Sequence, residues 1–111
     1  MYSLYGIPNC DTVKKVKKVL DKKGLEYIFI NFKNSPPKES ELNRWGQFLG
    51  ELPVNRRGTT FRKIKDNYNN ASKKEQMSIL MANSSAIKRP ILEKAGQVLS
   101  IGFEEQVLQE L

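Results

Sequence analysis

The one cysteine of the chain, Cys10, stands in the stretch Tyr5-Gly6-Ile7-Pro8-Asn9-Cys10-Asp11-Thr12. The chemistry open to it is that of a thiolate, a nucleophile that exchanges with disulfides through a mixed-disulfide intermediate. Met1 to Tyr5 reads as a short strand and Val13 to Lys23 as an amphipathic helix, with Gly-x-Pro-Asn as the turn between them. Cys10 therefore falls where a strand hands over to a helix N-terminus. Unsatisfied backbone N–H groups and the positive end of the macrodipole meet there and favour a thiolate. The adjacent Asp11 opposes it, since a neighbouring negative charge disfavours a second one. Asn9 and Thr12 are placed either to donate a hydrogen bond to the sulfur or to cap the helix. A lone cysteine is more often a small buried hydrophobe; the strand-turn-helix junction reverses that preference here.

The histidine count of zero narrows the chemistry further. Ser-His and Cys-His nucleophile pairs are ruled out, as are histidine-ligated metal sites, and one thiol does not make a structural zinc site. We expect no metal. A single cysteine also rules out an internal disulfide, and with it a secreted disulfide framework. No charged segment followed by an apolar stretch opens the chain, and no run approaches the ~18 apolar residues of a membrane span. The expected setting is a reducing cytoplasm, away from membranes.

The elements that must position Cys10 follow from hydrophobic pattern and punctuation. The 111 residues, 39% of them hydrophobic, suffice for one domain with its own core. Gly24 is placed to stop the first helix, and Leu25 to Asn31 is a strand rich in aromatic and β-branched residues, completing a βαβ unit. Ser35-Pro36-Pro37 predicts a helix capped by Ser35 with proline at its first helical position, carrying Leu42, Trp45, Phe48 and Leu49 on its core face. Gly50 to Gly58 reads as a loop, and Thr59 to Ile64 as the opening of a short helix. Ser72 with Glu75 forms a capping box for a helix through Met77, Leu80 and Met81. A loop then runs to Lys88-Arg89-Pro90. Ile91–Glu93 and Val98–Ile101, separated by a segment with Ala95-Gly96, read as a β-hairpin. Phe103 to Leu111 reads as a closing helix with Phe103, Val107, Leu108 and Leu111 on one face.

Lys and Arg exceed Asp and Glu by 19 to 12, a net charge of +7 that points to an anionic substrate or partner. Six lysines (Lys14, Lys15, Lys17, Lys18, Lys22 and Lys23) crowd the first helix, whose apolar stripe is Val13, Val16, Val19 and Leu20. That helix has no aromatic residue for base stacking, which argues against direct nucleic-acid binding.

Three motifs together resemble the arsenate reductase (ArsC) family with its Spx and YffB relatives. They are Tyr5 to Thr12, Arg57-Gly58-Thr59-Thr60-Phe61-Arg62-Lys63, and Ile87-Lys88-Arg89-Pro90-Ile91-Leu92; the terminal Gly102-Phe103 fits the YffB branch. The resemblance spans essentially the whole chain. It implies an α/β, thioredoxin-like fold, βαβ then ββα, as one domain over residues 1–111 with a helical insertion over about 35–86. It also implies Cys10 as nucleophile, Arg89 and Arg62 as anion-binding residues, and Pro90 as the cis proline beside the reactive cysteine. Arg56 and Arg57 are weaker candidates.

Two departures from the family pattern stand out. The segment after the hairpin turn, Gln97 to Phe103, carries no arginine where arsenate reductases of this type have a further one. Three residues beyond Cys10 stands Val13, where Spx regulators carry a second cysteine. The resemblance thus implies a thiol-dependent reductase that relies on an external thiol. Glutathione is the expected co-substrate, with a glutaredoxin as possible partner and no tightly bound cofactor. The substrate would be a small anionic or glutathione-linked molecule rather than arsenate. The alternative is an Spx-like regulator that binds RNA polymerase without catalysis.

Overall fold

The computed structural model describes residues 1–111, and the chain divides into two compact units. The first comprises Met1–Ser35 with Arg89–Leu111, the second Pro36–Lys88.

In the first unit, strand β1 (Tyr2–Gly6) is followed by helix α1 (Asp11–Lys22) and strand β2 (Tyr27–Asn31). The unit resumes with β3 (Ile91–Lys94), β4 (Gln97–Ile101) and a short terminal helix. The sheet runs in the order β2-β1-β3-β4. β1 and β2 pair in parallel, and β1 with β3 and β3 with β4 antiparallel. This is the mixed sheet of the thioredoxin-like α/β fold. Alternation along β1 turns Tyr2, Leu4 and Gly6 to the buried side. Leu4 packs there with Val16 and Leu20 of α1, Leu92 of β3 and Leu108 near the C-terminus, and one sheet face thus carries two helices. The lysines between the valines of α1 remain outside, as the 3.6-residue period requires. Lys17 lies with its Nζ 3.7 Å from the Phe29 ring centroid.

The β3–β4 turn is Ala95-Gly96, both at positive φ (52° and 77°), the backbone hand that lets a two-residue hairpin follow the strand twist. A bulge follows, since Leu92 pairs with Ser100 but Glu93 with Val98.

In the second unit, helices α2 (Glu39–Leu49), α3 (Thr59–Asn69) and α4 (Lys73–Ala82) precede a 3₁₀ turn at Ser84–Ala86. Trp45, Leu42, Phe61, Tyr68, Met77, Leu80 and Ile87 are buried. The Phe61 and Tyr68 rings meet edge to face, with centroids 5.7 Å apart. A bridge between Val54 and Ile87, with hydrogen bonds from Asn55 N to Ala86 O (2.7 Å) and from Lys88 N to Pro53 O (2.8 Å), ties the loop before α3 to the end of the unit. No helix of the protein is long and apolar enough to cross a membrane.

Three sequence expectations are corrected here. α2 does not start at Ser35-Pro36; it starts at Glu39, with Lys38 at the N-cap. Pro37 disfavours helical ψ at the residue before it, so a helix cannot include Pro36. The carboxylate of Glu41 accepts instead from the Lys38 backbone N–H at 2.8 Å. Phe48 leaves the core face of α2 and is 49% exposed. The terminal helix, α5, covers only Glu105–Gln109, so Phe103 precedes it and is exposed, while Leu108 is buried. α3 opens at Thr59 as expected and runs on to Asn69, because Phe61, Ile64 and Tyr68 continue one stripe.

Candidate functional site

The site begins at the C-terminal end of β1. Gly6 is the last strand residue, Ile7 is buried, and Pro8 and Asn9 turn outward to solvent. Cys10 is the N-cap of α1, with extended backbone (φ −110°, ψ 125°), and its carbonyl accepts the first helical bond from Lys14 N at 3.0 Å. It is a free, half-buried thiol. No side chain caps the helix. Asn9 is exposed and Thr12 is already inside the first turn, so capping is not the part either residue plays. The first-turn N–H groups lack intrahelical partners, and the residue standing at that end of the dipole is the cysteine.

The same end of the sheet receives the start of β3. The Arg89-Pro90 peptide bond is cis, as the family resemblance implies. Tyr5 pairs with Ile91, so the antiparallel register carried one residue further sets Pro90 opposite Gly6. Pro90 is buried, and its carbonyl accepts from Gly102 N at 2.8 Å, fastening the loop to the end of β4. Arg89 is half-buried, with its Nε shielded from solvent.

Gly6 is the hinge of this arrangement, and the sequence reading treated it only as part of a turn. A Cβ there would stand 2.8 Å from Val13 Cγ2 and 3.8 Å from Arg89 Cβ. The missing side chain lets β1, the first turn of α1 and the Arg89 loop approach closely. A glycine ending an apolar strand four residues before the cysteine is the signal that could have marked it.

The first unit therefore gathers Cys10, Asn9, Thr12, Arg89 and Pro90 at one end of its sheet. Arg62 belongs to the second unit, exposed on the first turn of α3, with its N–H directed to Gly58 O at 3.4 Å. In that unit the weaker candidates are the better gathered. Arg56, Arg57, Lys88 and Asn55 line a cleft of about 410 Å³ to which Arg62 does not contribute. Asn55 Oδ1 accepts from the Arg57 N–H at 3.2 Å, and the Arg56 guanidinium lies 5.5 Å from the Phe61 ring centroid. Nearby, burial raises the Tyr68 phenol above its ordinary range; Glu51 adds to the effect and Arg56 opposes it. No cluster of three or more Cys, Asp or Glu side chains that could hold a metal occurs.

The model of the ArsC family matches residues 5–111, which include both Cys10 and the Arg89-Pro90 turn. The chain belongs to the ArsC family. A curated protein of Haemophilus influenzae of uncharacterised function is 36% identical over 98% of this chain and 96% of its own length. YusI of Bacillus subtilis, likewise uncharacterised, is 30% identical over 97% and 95%. Among solved structures, a protein named YFFB superposes with a TM-score of 0.85 at 32% identity, covering 99% of this chain and 97% of that one. A possible arsenate reductase of Streptococcus mutans gives 0.78 at 30% identity, over 94% and 92%. The ArsC-family chain is thus arsenate reductase-like in sequence and thioredoxin-like in fold.

Proposed function

We propose that this protein is a thiol-dependent reductase that uses Cys10 as its single nucleophile and glutathione as the external thiol. The observation that carries this reading is the position of the only cysteine, at the N-cap of α1 and at the sheet end that also holds Arg89 and Pro90. The Cys10 thiolate attacks the glutathione sulfur of a mixed disulfide R–S–SG, forming the Cys10–S–SG bond and releasing R–S⁻. A glutathione thiolate then attacks the glutathione sulfur of that adduct, releasing oxidised glutathione and restoring the Cys10 thiolate. The two exchanges sum to R–S–SG + GS⁻ → R–S⁻ + GSSG, so electrons balance: one disulfide replaces another, the R–S half is reduced and one reduced glutathione is oxidised. The dipole of α1 favours negative charge on the sulfur at its N-terminus. Arg89 holds an anionic group of the substrate with a planar, two-pronged donor. Arg62 is the second arginine the family likeness assigns to that task, and a glutaredoxin is the proposed partner for the second exchange. The compartment is a reducing cytoplasm.

Arsenate is a poor fit to this chain. Gln97 to Phe103 provides no further arginine, so an arsenate cage would lack one of its charge-assisted donors. The experiment follows turnover of a glutathione mixed disulfide and of arsenate, each with glutathione and with added glutaredoxin. We expect turnover of the mixed disulfide that requires thiol and vanishes in Cys10→Ser, a Cys10–glutathione adduct in the intact mass, and little arsenate reduction. Absence of thiol-dependent turnover overturns the proposal, and stoichiometric binding of RNA polymerase would then replace it with a regulatory role.

A further inference from the structure

Phe103 is one of the large apolar residues whose placement the core does not explain. β4 ends at Ile101, Gly102 follows at φ 85°, and Phe103 is directed against α1, 41% exposed. There it joins Val19 and the stems of Lys15, Lys18 and Lys22 around a shallow groove of about 280 Å³. The three lysines sit at i, i+3 and i+7 of α1, so one helix face presents them in a row. The surface lining the groove is almost wholly apolar. Lysine stems of this kind cover apolar surface while their ammonium groups stay in water. The result is an apolar floor inside a rim of like positive charge.

We propose that this groove docks an acidic segment of a partner protein, one that places a large apolar side chain against Phe103 and carboxylates against Lys15, Lys18 and Lys22. The rim sets the sign of the partner by charge complementarity, and the floor asks for an apolar anchor. A protein segment fits better than the other polyanions. The apolar surface is the floor of a depression between the lysines rather than a wedge projecting for insertion into a bilayer, as an interfacial anchor would be. Single-stranded nucleic acid would call for successive aromatics along a cationic track, and the groove has one aromatic ring. The proposal stands on residues that take no part in the thiol exchange, so it and the proposed reductase activity can fail independently.

The test uses the full chain and a short fluorescein-labelled peptide in which one tryptophan is flanked on both sides by glutamates. Binding is followed by anisotropy and mapped by amide chemical shifts. We expect saturable binding that weakens with salt, with shifts confined to α1 and the segment around Phe103. Phe103→Ala should weaken it by about tenfold or more, as for a buried aromatic anchor. Lys18→Glu should weaken it similarly, while Lys65→Glu on α3 leaves it unchanged. Lys18 and Lys65 are exposed charges and Phe103 is partly exposed, so each of the three variants should fold, which circular dichroism checks. No binding overturns the proposal, as does peptide binding indifferent to Phe103→Ala and Lys18→Glu, or shifts mapping elsewhere. Binding of phosphatidylserine vesicles or of a single-stranded oligonucleotide through the same residues, without peptide binding, overturns the choice of a protein partner.

Discussion

A methyl group is all that separates Gly6 from alanine, and the structure has no room for it. The atom in the way, Val13 Cγ2 at 2.8 Å, belongs to a fully buried β-branched side chain with little rotamer freedom. Gly6→Ala should therefore lower stability by about 1–3 kcal/mol, the usual effect of overpacking. Adding the same change to Val13→Ala should have far less effect than adding it to the natural protein, because the clashing methyl is gone. Urea unfolding of the four proteins of that cycle checks it, and additive losses would refute the contact. At Arg89 the expectation concerns recognition. Arg89→Lys keeps the charge but loses the planar fork, so KM for an anionic disulfide should rise several-fold while Cys10 remains alkylatable. An unchanged KM would remove Arg89 from substrate binding. Cys10 and the Arg89-Pro90 turn were legible because their sequence context announces them. Gly6 was not, because a close approach between three segments exists only once they are folded together.

Among the elements, α4 is the one whose start the sequence specifies most fully. The Ser72 hydroxyl donates to Glu75 Oε1 at 2.8 Å, the Ser72 N–H donates to the same oxygen at 3.2 Å, and Glu75 N–H donates back to Ser72 Oγ at 3.3 Å. This is the reciprocal cap that Ser-x-x-Glu predicts. Ser72→Ala should lower stability at neutral pH by about 0.5–2 kcal/mol. The Ser72 hydroxyl and then the Ser72 backbone N–H hold the Glu75 carboxyl below its ordinary range. Its contribution is therefore complete above the ordinary glutamate value of about 4.3 and is lost as the pH falls through the lower, folded-state value. The gap between natural protein and variant should narrow in acid, and a gap that widens there would refute the assignment. α2 shows the opposite case. Its serine and prolines resemble a helix start, but two consecutive prolines place one of them before another, and the steric rule for that position outranks the capping preference. Phe48 and Phe103 were misread for a related reason. Periodicity ranks faces by hydrophobicity, and a face reserved for something other than the core carries the same letters as one that is buried.

At the scale of the whole molecule the net charge of +7 acts on everything that approaches it. The thioredoxin-like sheet was legible in the order of its elements, since strand, helix, strand and then a hairpin leave few ways to join. The charge was legible as a total, but its distribution was not. Folding assigns Lys15, Lys18 and Lys22 to a groove on the first unit, and Arg56, Arg57 and Lys88 to a cleft in the second. If the substrate is a glutathione mixed disulfide, its carboxylates make it an anion that such a field draws in. Salt shortens the reach of that field from about 10 Å at 0.1 M to about 3 Å at 1 M. The specificity constant kcat/KM for the anionic substrate should consequently fall by roughly tenfold across that range. Turnover at saturation should change far less, because the exchange at sulfur takes place after the encounter. A neutral disulfide such as bis(2-hydroxyethyl) disulfide separates steering from a general effect of salt, since its kcat/KM should stay nearly flat. Equal salt dependence for the two substrates would refute the steering, because a neutral disulfide gives the field nothing to act on.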